Sequence, residues 1–265
     1  MRVSLFVTCI VDQMFPQVGK AAVEVLRKHG VEVVFNPDQT CCGQPAFNTG
    51  YRDEARVVAL HMIDVFEREL ESADYVVAPS GSCTAMVRKF YSELFESEPR
   101  ILNRVNGIAG RIYELSEFLV DILRAPESAG DEVADEVRGP AGASTGRRVT
   151  YHDCCHLLRE LGVARQPRLL IQSVGGSELI EMDRSDACCG FGGTFSVKYP
   201  EISAAIGDEK IASIERSGAD TVVACDSSCL MQIAGLAARQ GLNVRCMHLA
   251  EFLCSTIETG DEQAG

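Results

Sequence analysis

Basic residues are scarce in this chain: lysine and arginine total 25 against 38 aspartates and glutamates, a net charge of −13. An excess of negative charge repels nucleic-acid phosphates and anionic lipid headgroups, so sequence-independent binding to either is excluded. Partners are expected to be proteins or small molecules. No apolar run reaches the roughly 20 residues of a membrane-spanning helix, and no direct membrane insertion is expected. The apolar run within Met1–Cys9 is too short for a secretory signal and has no small-residue cleavage site after it. A nucleotide fingerprint is missing as well. Gly190, Gly192 and Gly193 do not give the G-x-G-x-x-G spacing, and no P-loop occurs. Any flavin or nicotinamide is therefore expected on a partner.

What is present is a chain of 265 residues, 46% hydrophobic, with 12 cysteines. That length buries a good core in one large domain or two small ones. In the expected cytoplasmic setting, with any membrane association made through partners, thiols stay reduced. Twelve of them are then better read as metal ligands or redox groups than as a disulfide framework.

The cysteines carry an internal repeat. Cys9 and Cys41 lie 32 positions apart and Cys155 and Cys188 lie 33; Cys42 and Cys83 are 41 apart, Cys189 and Cys229 are 40. Glu114–Leu119 is answered by His248–Leu253 near the end of each half. Between the halves, a Pro-, Gly-, Ala- and acid-rich stretch reads as a solvated linker. The expected division is a first domain over 1–125, a linker over 126–146 and a second domain over 147–265.

Within each half, β-rich runs alternate with helical patterns. Strands are expected at Val3–Val7, Val31–Phe35 and Tyr75–Ala78, then at Arg148–Tyr151, Leu179–Glu181, Thr221–Ala224 and Val244–Cys246. Helices are expected from Pro16 to about His29, over Glu54–Leu70, around Gln166–Val174 and Glu201–Ser217, and over Leu249–Ile257. In Glu54–Leu70 the apolar face is read as Val57, Val58, Leu60, His61, Ile63 and Phe66. This alternation predicts an α/β fold, two pseudo-symmetric parallel-sheet (Rossmann-like) halves from an internal duplication. Each cysteine group then follows the C-terminal end of a strand, where open α/β sheets bind ligands.

Adjacent cysteines rarely bridge each other, because the ring would strain the intervening peptide. Two neighbouring thiols beside a glycine suit neighbouring irons of one cluster better. Cys9, Cys41, Cys42 and Cys83 supply four thiols to the first half, and Cys155, Cys188, Cys189 and Cys229 supply four to the second. Each set is enough for one iron–sulfur cluster. Zinc also accepts four cysteines but usually draws on tight C-x2–4-C pairs, and only Cys225 to Cys229 approaches that spacing. Gly43, Gly190, Gly192 and Gly193 let backbone come close to a bound group, and His152 and His156 flank the second site as hydrogen-bond donors or helix caps. Arg159 and Lys198 are candidates for offsetting negative charge. Cys225 aligns with Pro79, so a role for it as ligand would make the halves unequal. Cys154 is a neighbour or an alternative ligand, and Cys246 and Cys254 read as small buried hydrophobes.

The motifs Cys41-Cys42-Gly43-Gln44-Pro45, Pro79-Ser80-Gly81-Ser82-Cys83, Tyr151-His152-Asp153-Cys154-Cys155-His156 and Cys188-Cys189-Gly190-Phe191-Gly192-Gly193-Thr194-Phe195-Ser196-Val197-Lys198, in that order, resemble the cysteine-rich CCG domain pair. The similarity is greatest to the lactate-utilisation protein A branch, related to a subunit of heterodisulfide reductase and to the iron–sulfur subunits of glycolate oxidase and anaerobic glycerol-3-phosphate dehydrogenase. It implies two [4Fe-4S]-type clusters, cubane or non-cubane, in an oxidoreductase subunit that is not autonomous. It also implies two partners, a ferredoxin-like iron–sulfur protein and a third lactate-utilisation subunit, and a role in oxidising L-lactate to pyruvate. The heterodisulfide-reductase branch holds each non-cubane cluster with five cysteines. This chain departs from that at Pro79 and in its C-x3-C at Cys225, which leaves ligand number and cluster geometry open. The reading of a different class is a zinc-binding structural or scaffold protein.

Overall fold

The computed structural model describes residues 1–125 and 146–255, so all but the last residue of the expected linker, and the end of the last expected helix, lie outside the described residues. Two four-stranded sheets carry the fold. In the first half the strands are β1 (Arg2–Leu5), β2 (Glu32–Val34), β3 (Tyr75–Ala78) and β4 (Ile112–Glu114), in the order β2-β1-β3-β4. In the second they are β5 (Arg147–Tyr151), β6 (Ser177–Leu179), β7 (Thr221–Ala224) and β8 (Arg245–His248), in the order β6-β5-β7-β8. Every pairing is parallel. The registers match too: Val3 lies opposite Tyr75 as Val149 lies opposite Thr221. The duplicated α/β architecture read from the sequence is the architecture of the molecule.

The first-half helices are α1 (Cys9–Met14), α2 (Pro16–Lys28), α3 (Gln44–Thr49), α4 (Arg52–Leu70), α5 (Gly81–Ala85), α6 (Tyr91–Leu94), α7 (Pro99–Ala109) and α8 (Leu115–Glu117). A π-helical turn, Met86–Phe90, joins α5 to α6 without a break, and another, Phe118–Ile122, extends α8. The second-half helices are α9 (Cys155–Leu161), α10 (Arg165–Gln172), α11 (Thr194–Lys198), α12 (Pro200–Ser217), α13 (Ser227–Gln240) and α14 (Leu249–Cys254). Pro16, Pro99 and Pro200 each occupy a first turn, where the missing N–H has no intrahelical partner to lose.

Two expectations need correction. The buried face of α4 is Ala55, Ala59, Met62, Ile63, Val65, Phe66 and Leu70, whereas Val57 is 70% exposed and His61 is exposed. Small alanines hold the core positions here, and the β-branched Val57 shifts the apparent stripe off the buried one. The strand β4 goes unpredicted, because three residues with a glutamate at the end leave no period to detect.

The halves are not separate cores. One buried cluster holds Val3, Leu5 and Leu26 of the first half together with Val149, Ile233 and Phe252 of the second. The helix α5 passes so close to α9 that a Cβ on Gly81 would stand 2.6 Å from the Leu157 side chain. The Gly81 N–H donates to the Cys225 carbonyl at 3.2 Å. Both sheets thereby turn their C-terminal ends toward a common cleft.

Candidate metal centres

Parallel strands deliver the thiols. Cys9 opens α1 just after β1, Cys41 and Cys42 sit in the loop after β2, and Cys83 lies in α5 just after β3. Their counterparts follow suit: Cys155 opens α9 after β5, Cys188 and Cys189 lie in the loop after β6, and Cys229 lies in α13 after β7. In the first half Cys9 Sγ is 3.7 Å from Cys41 Sγ, and Cys42 Sγ is 3.5 Å from Cys83 Sγ. In the second, Cys155 interacts with Cys188 and Cys189 with Cys229 in the same pairing. Among the described residues, which include all 12 cysteines, no disulfide is formed. One cleft of about 910 Å³, solvent mouth included, is lined by thiols of both halves.

The glycine of each Cys-Cys-Gly is dictated by backbone. Gly43 has φ +86° and Gly190 φ +90°, a region that side chains disfavour. A Cβ on Gly190 would also stand 2.3 Å from the Ser203 carbonyl oxygen, and one on Gly43 would stand 3.3 Å from that of Ala55. The tight turn aims both N–H groups back at sulfur: Gly43 donates to Cys41 Sγ at 3.4 Å and Gly190 to Cys188 Sγ at 3.3 Å. Hydrogen bonds to the charged form favour it. The Cys41 thiol is pushed down by the neighbouring Cys42 and Cys9 thiols and its backbone donors. Cys188 is pushed down by Cys155 first and Cys189 second. The buried Tyr91 hydroxyl donates to the Cys42 carbonyl at 2.9 Å and fixes the first loop from below.

Among the remaining expected residues, His156 lines the cleft with its Nδ1 3.8 Å from Cys155 Sγ, its ring edge-on to Phe90 of the other half. Gly192 and Gly193 line it too, both at positive φ. Arg159 donates to the Asp186 carbonyl and Lys198 sits over the Tyr51 ring, so each charge is engaged away from sulfur. Cys246 is half-buried on β8, and the Cys254 thiol donates to Glu24 at 2.7 Å.

Cys225 is not brought to the cleft. It is fully buried, accepts from the Tyr151 hydroxyl at 3.4 Å, lies 3.9 Å from the Ser116 hydroxyl and is absent from the cleft lining. Cys154 is brought there instead, buried, with its sulfur against Cys229. Position counting cannot separate these two, since the answer depends on which way each side chain leaves the end of its strand.

Three further groups lie beyond the sequence reading or gain a new setting. Asp226 is buried at the cleft, where its carboxylate accepts from the Ser82 N–H at 3.0 Å and the Ser80 hydroxyl at 3.3 Å across the halves, and from the Ser228 N–H at 3.2 Å within its own. Lys210 is buried behind the Cys188 loop, donating to the Arg184 and Ser185 carbonyls at 2.7 and 3.1 Å. Burial pushes its ammonium down from the ordinary lysine value. His152, expected only to flank the second site, is buried with no hydrogen-bond partner on either ring nitrogen among the described residues, and burial, with Lys210 second, pushes it down to about 4.

The donor set fits an iron–sulfur group. Soft thiols meet in pairs at non-bonded separations, backbone N–H groups point at sulfur, and the surroundings are partly dry. Comparison with known proteins agrees. The cysteine-rich domain CCG matches residues 3–88 and again 149–234.

The chain belongs to the CCG cysteine-rich domain family.

Both CCG spans enclose a full set of four thiols and leave Cys246 and Cys254 outside. The chain is 44% identical to lactate utilization protein A of Halalkalibacterium halodurans, over 99% of this chain and all of that one. It is 44% identical to the protein of that name from Exiguobacterium sp., over 95% and 96% of the two chains. With that of Bacillus subtilis it shares 42% identity over 96% of this chain and all of the relative.

Proposed function

We propose that this chain is an iron–sulfur subunit that relays electrons during the oxidation of L-lactate to pyruvate, within a multi-protein complex in the cytoplasm. The observation that carries the reading is the convergence on one cleft of seven of the eight repeat-related cysteines, with the eighth, Cys41, held against Cys9 at its edge. The name that the relatives share, lactate utilization protein A, suggests the substrate. Cys9, Cys41, Cys42 and Cys83 would hold one cluster, and Cys155, Cys188, Cys189 and Cys229 the other, each cluster of the [4Fe-4S] type. When bound, such groups accept and give single electrons, whereas lactate releases two electrons and two protons on becoming pyruvate. The two-electron step therefore belongs to a flavin or nicotinamide carried by a partner, and the partners are a ferredoxin-like iron–sulfur protein and a third lactate-utilisation subunit. No helix of the described residues is long and apolar enough to cross a membrane, so any membrane attachment would run through those partners. The proposed division is a first domain over 1–125, a linker over 126–146 and a second domain over 147–265.

Anaerobic purification with iron and acid-labile sulfide analysis tests the first part, and iron with sulfide in both halves is expected. Stoichiometric zinc without sulfide would point to the scaffold reading instead. For the second part, extract lacking this chain should lose lactate-dependent electron transfer and regain it on add-back only with the ferredoxin-like partner present. Lactate oxidation by the purified chain alone, with an artificial acceptor, would overturn the relay.

A further inference from the structure

The two halves differ at two positions that matter for metal binding. The backbone of Phe6 donates to the Val77 carbonyl at 2.9 Å, and that of His152 donates to the Val223 carbonyl at 2.9 Å. With the matching registers of β1 on β3 and β5 on β7, this makes His152 the counterpart of Phe6 and Cys154 the counterpart of Thr8. The first half thus has a phenyl ring and a hydroxyl where the second has an imidazole and a thiol.

Nothing within the described residues employs that imidazole. His152 is 1% exposed, and both ring nitrogens lack a hydrogen-bond partner among the described residues. The adjacent carboxylate, Asp153, is engaged by Arg168 in a two-pronged pair at 2.8 and 2.7 Å. A buried polar ring left without a partner is rare, and where one occurs an unseen ion is among the first explanations. A ring nitrogen of His152, Cys154 Sγ and Cys229 Sγ all lie within 4.8 Å of one another, close to the span that one metal with bonds of about 2.0–2.3 Å can bridge.

We propose that His152 is a metal ligand: one of its ring nitrogens binds, together with the thiolates of Cys154 and Cys229, an iron of the second-half centre. The inference rests on the iron–sulfur reading above. Neutral imidazole already offers its lone pair, while the two thiols release their protons to solvent as they bind. The second centre then has mixed nitrogen and sulfur ligation, and the first is held by thiolates alone.

Pulsed EPR on the full chain, reconstituted anaerobically and reduced, tests this with natural-abundance and [15N]histidine-labelled protein. A strong nitrogen coupling that changes with the label is expected, retained in His156→Asn and lost in His152→Phe, the residue the first half carries. Iron X-ray absorption, which needs no paramagnetic state, should show imidazole scattering with the same dependence. Should His152→Phe fail to fold, His152→Cys gives the same loss of coupling while its iron stays bound. Protein with iron and sulfide in both halves but no histidine signal by either method would overturn the proposal, as would a signal that survives His152→Phe. Wild-type protein that takes up no iron and sulfide overturns the iron–sulfur reading itself, and with it this one.

Discussion

A cysteine becomes a ligand candidate through the direction of its Cα–Cβ bond, and Cys154 and Cys225 show how little of that is visible in spacing. Cys225 follows β7 directly and its thiol meets the Tyr151 and Ser116 hydroxyls, while Cys154 reaches Cys229. Cys225→Ser is therefore expected to keep the second centre, and Cys189→Ser or Cys229→Ser to lose it, measured as iron and sulfide per chain. Equal loss in all three would place Cys225 among the ligands. A second residue-scale prediction concerns Glu114, which caps α8 by accepting from the Ser116 and Glu117 N–H groups. Burial pushes its carboxyl up to about 7, against an ordinary value near 4.3. Between those values the folded chain keeps a proton that the unfolded chain gives up, so stability falls as pH rises from about 4.5 to about 7. The loss is on the order of 3 kcal/mol when complete. Glu114→Gln keeps the capping oxygen and removes the proton, so its denaturant midpoint should vary less across that range. An unchanged slope would mean that Glu114 is ionised throughout.

At the scale of elements, long amphipathic helices and apolar strands are legible, because each repeats its period several times. The strand β2 is two residues shorter than its apolar run suggests and β6 begins two residues earlier, since three-residue strands lean on their neighbours rather than on a pattern of their own. The Cys-Cys-Gly turn is the clearest signal, and the structure supplies its reason. At Gly190 a positive φ coincides with a carbonyl oxygen that a Cβ would strike, whereas at Gly43 the same kind of φ meets a looser contact. Gly190→Ala should cost more than Gly43→Ala, which backbone strain alone sets at about 1–3 kcal/mol. Chemical denaturation of the two variants decides the order, and Gly190→Ala should in addition take up less iron in the second half. If both variants unfold with the wild type, the turn is freer to rearrange than its packing implies.

For the whole molecule, the duplication is legible from cysteine spacing, but the joining of the halves is not, since it depends on contacts between residues about 145 positions apart. Asp226 is the clearest of these. Its carboxylate caps α13 through Ser228 and reaches across to the Ser82 N–H and Ser80 hydroxyl at the start of α5, so one side chain positions the helices that carry Cys229 and Cys83. Losing the cap costs about 1 kcal/mol, and stranding buried donors in the other half adds about 1–3 kcal/mol. Asp226→Ala is accordingly expected to lower the melting temperature of a single transition and to reduce iron uptake in both halves together. Asp226→Asn keeps one acceptor oxygen and should fall between the alanine variant and the wild type. Iron analysis on separately labelled halves, joined by intein ligation, would show which centre suffers. Loss confined to the second half would mean that the crossing hydrogen bonds do not couple the two centres, and that each half holds its thiols by itself.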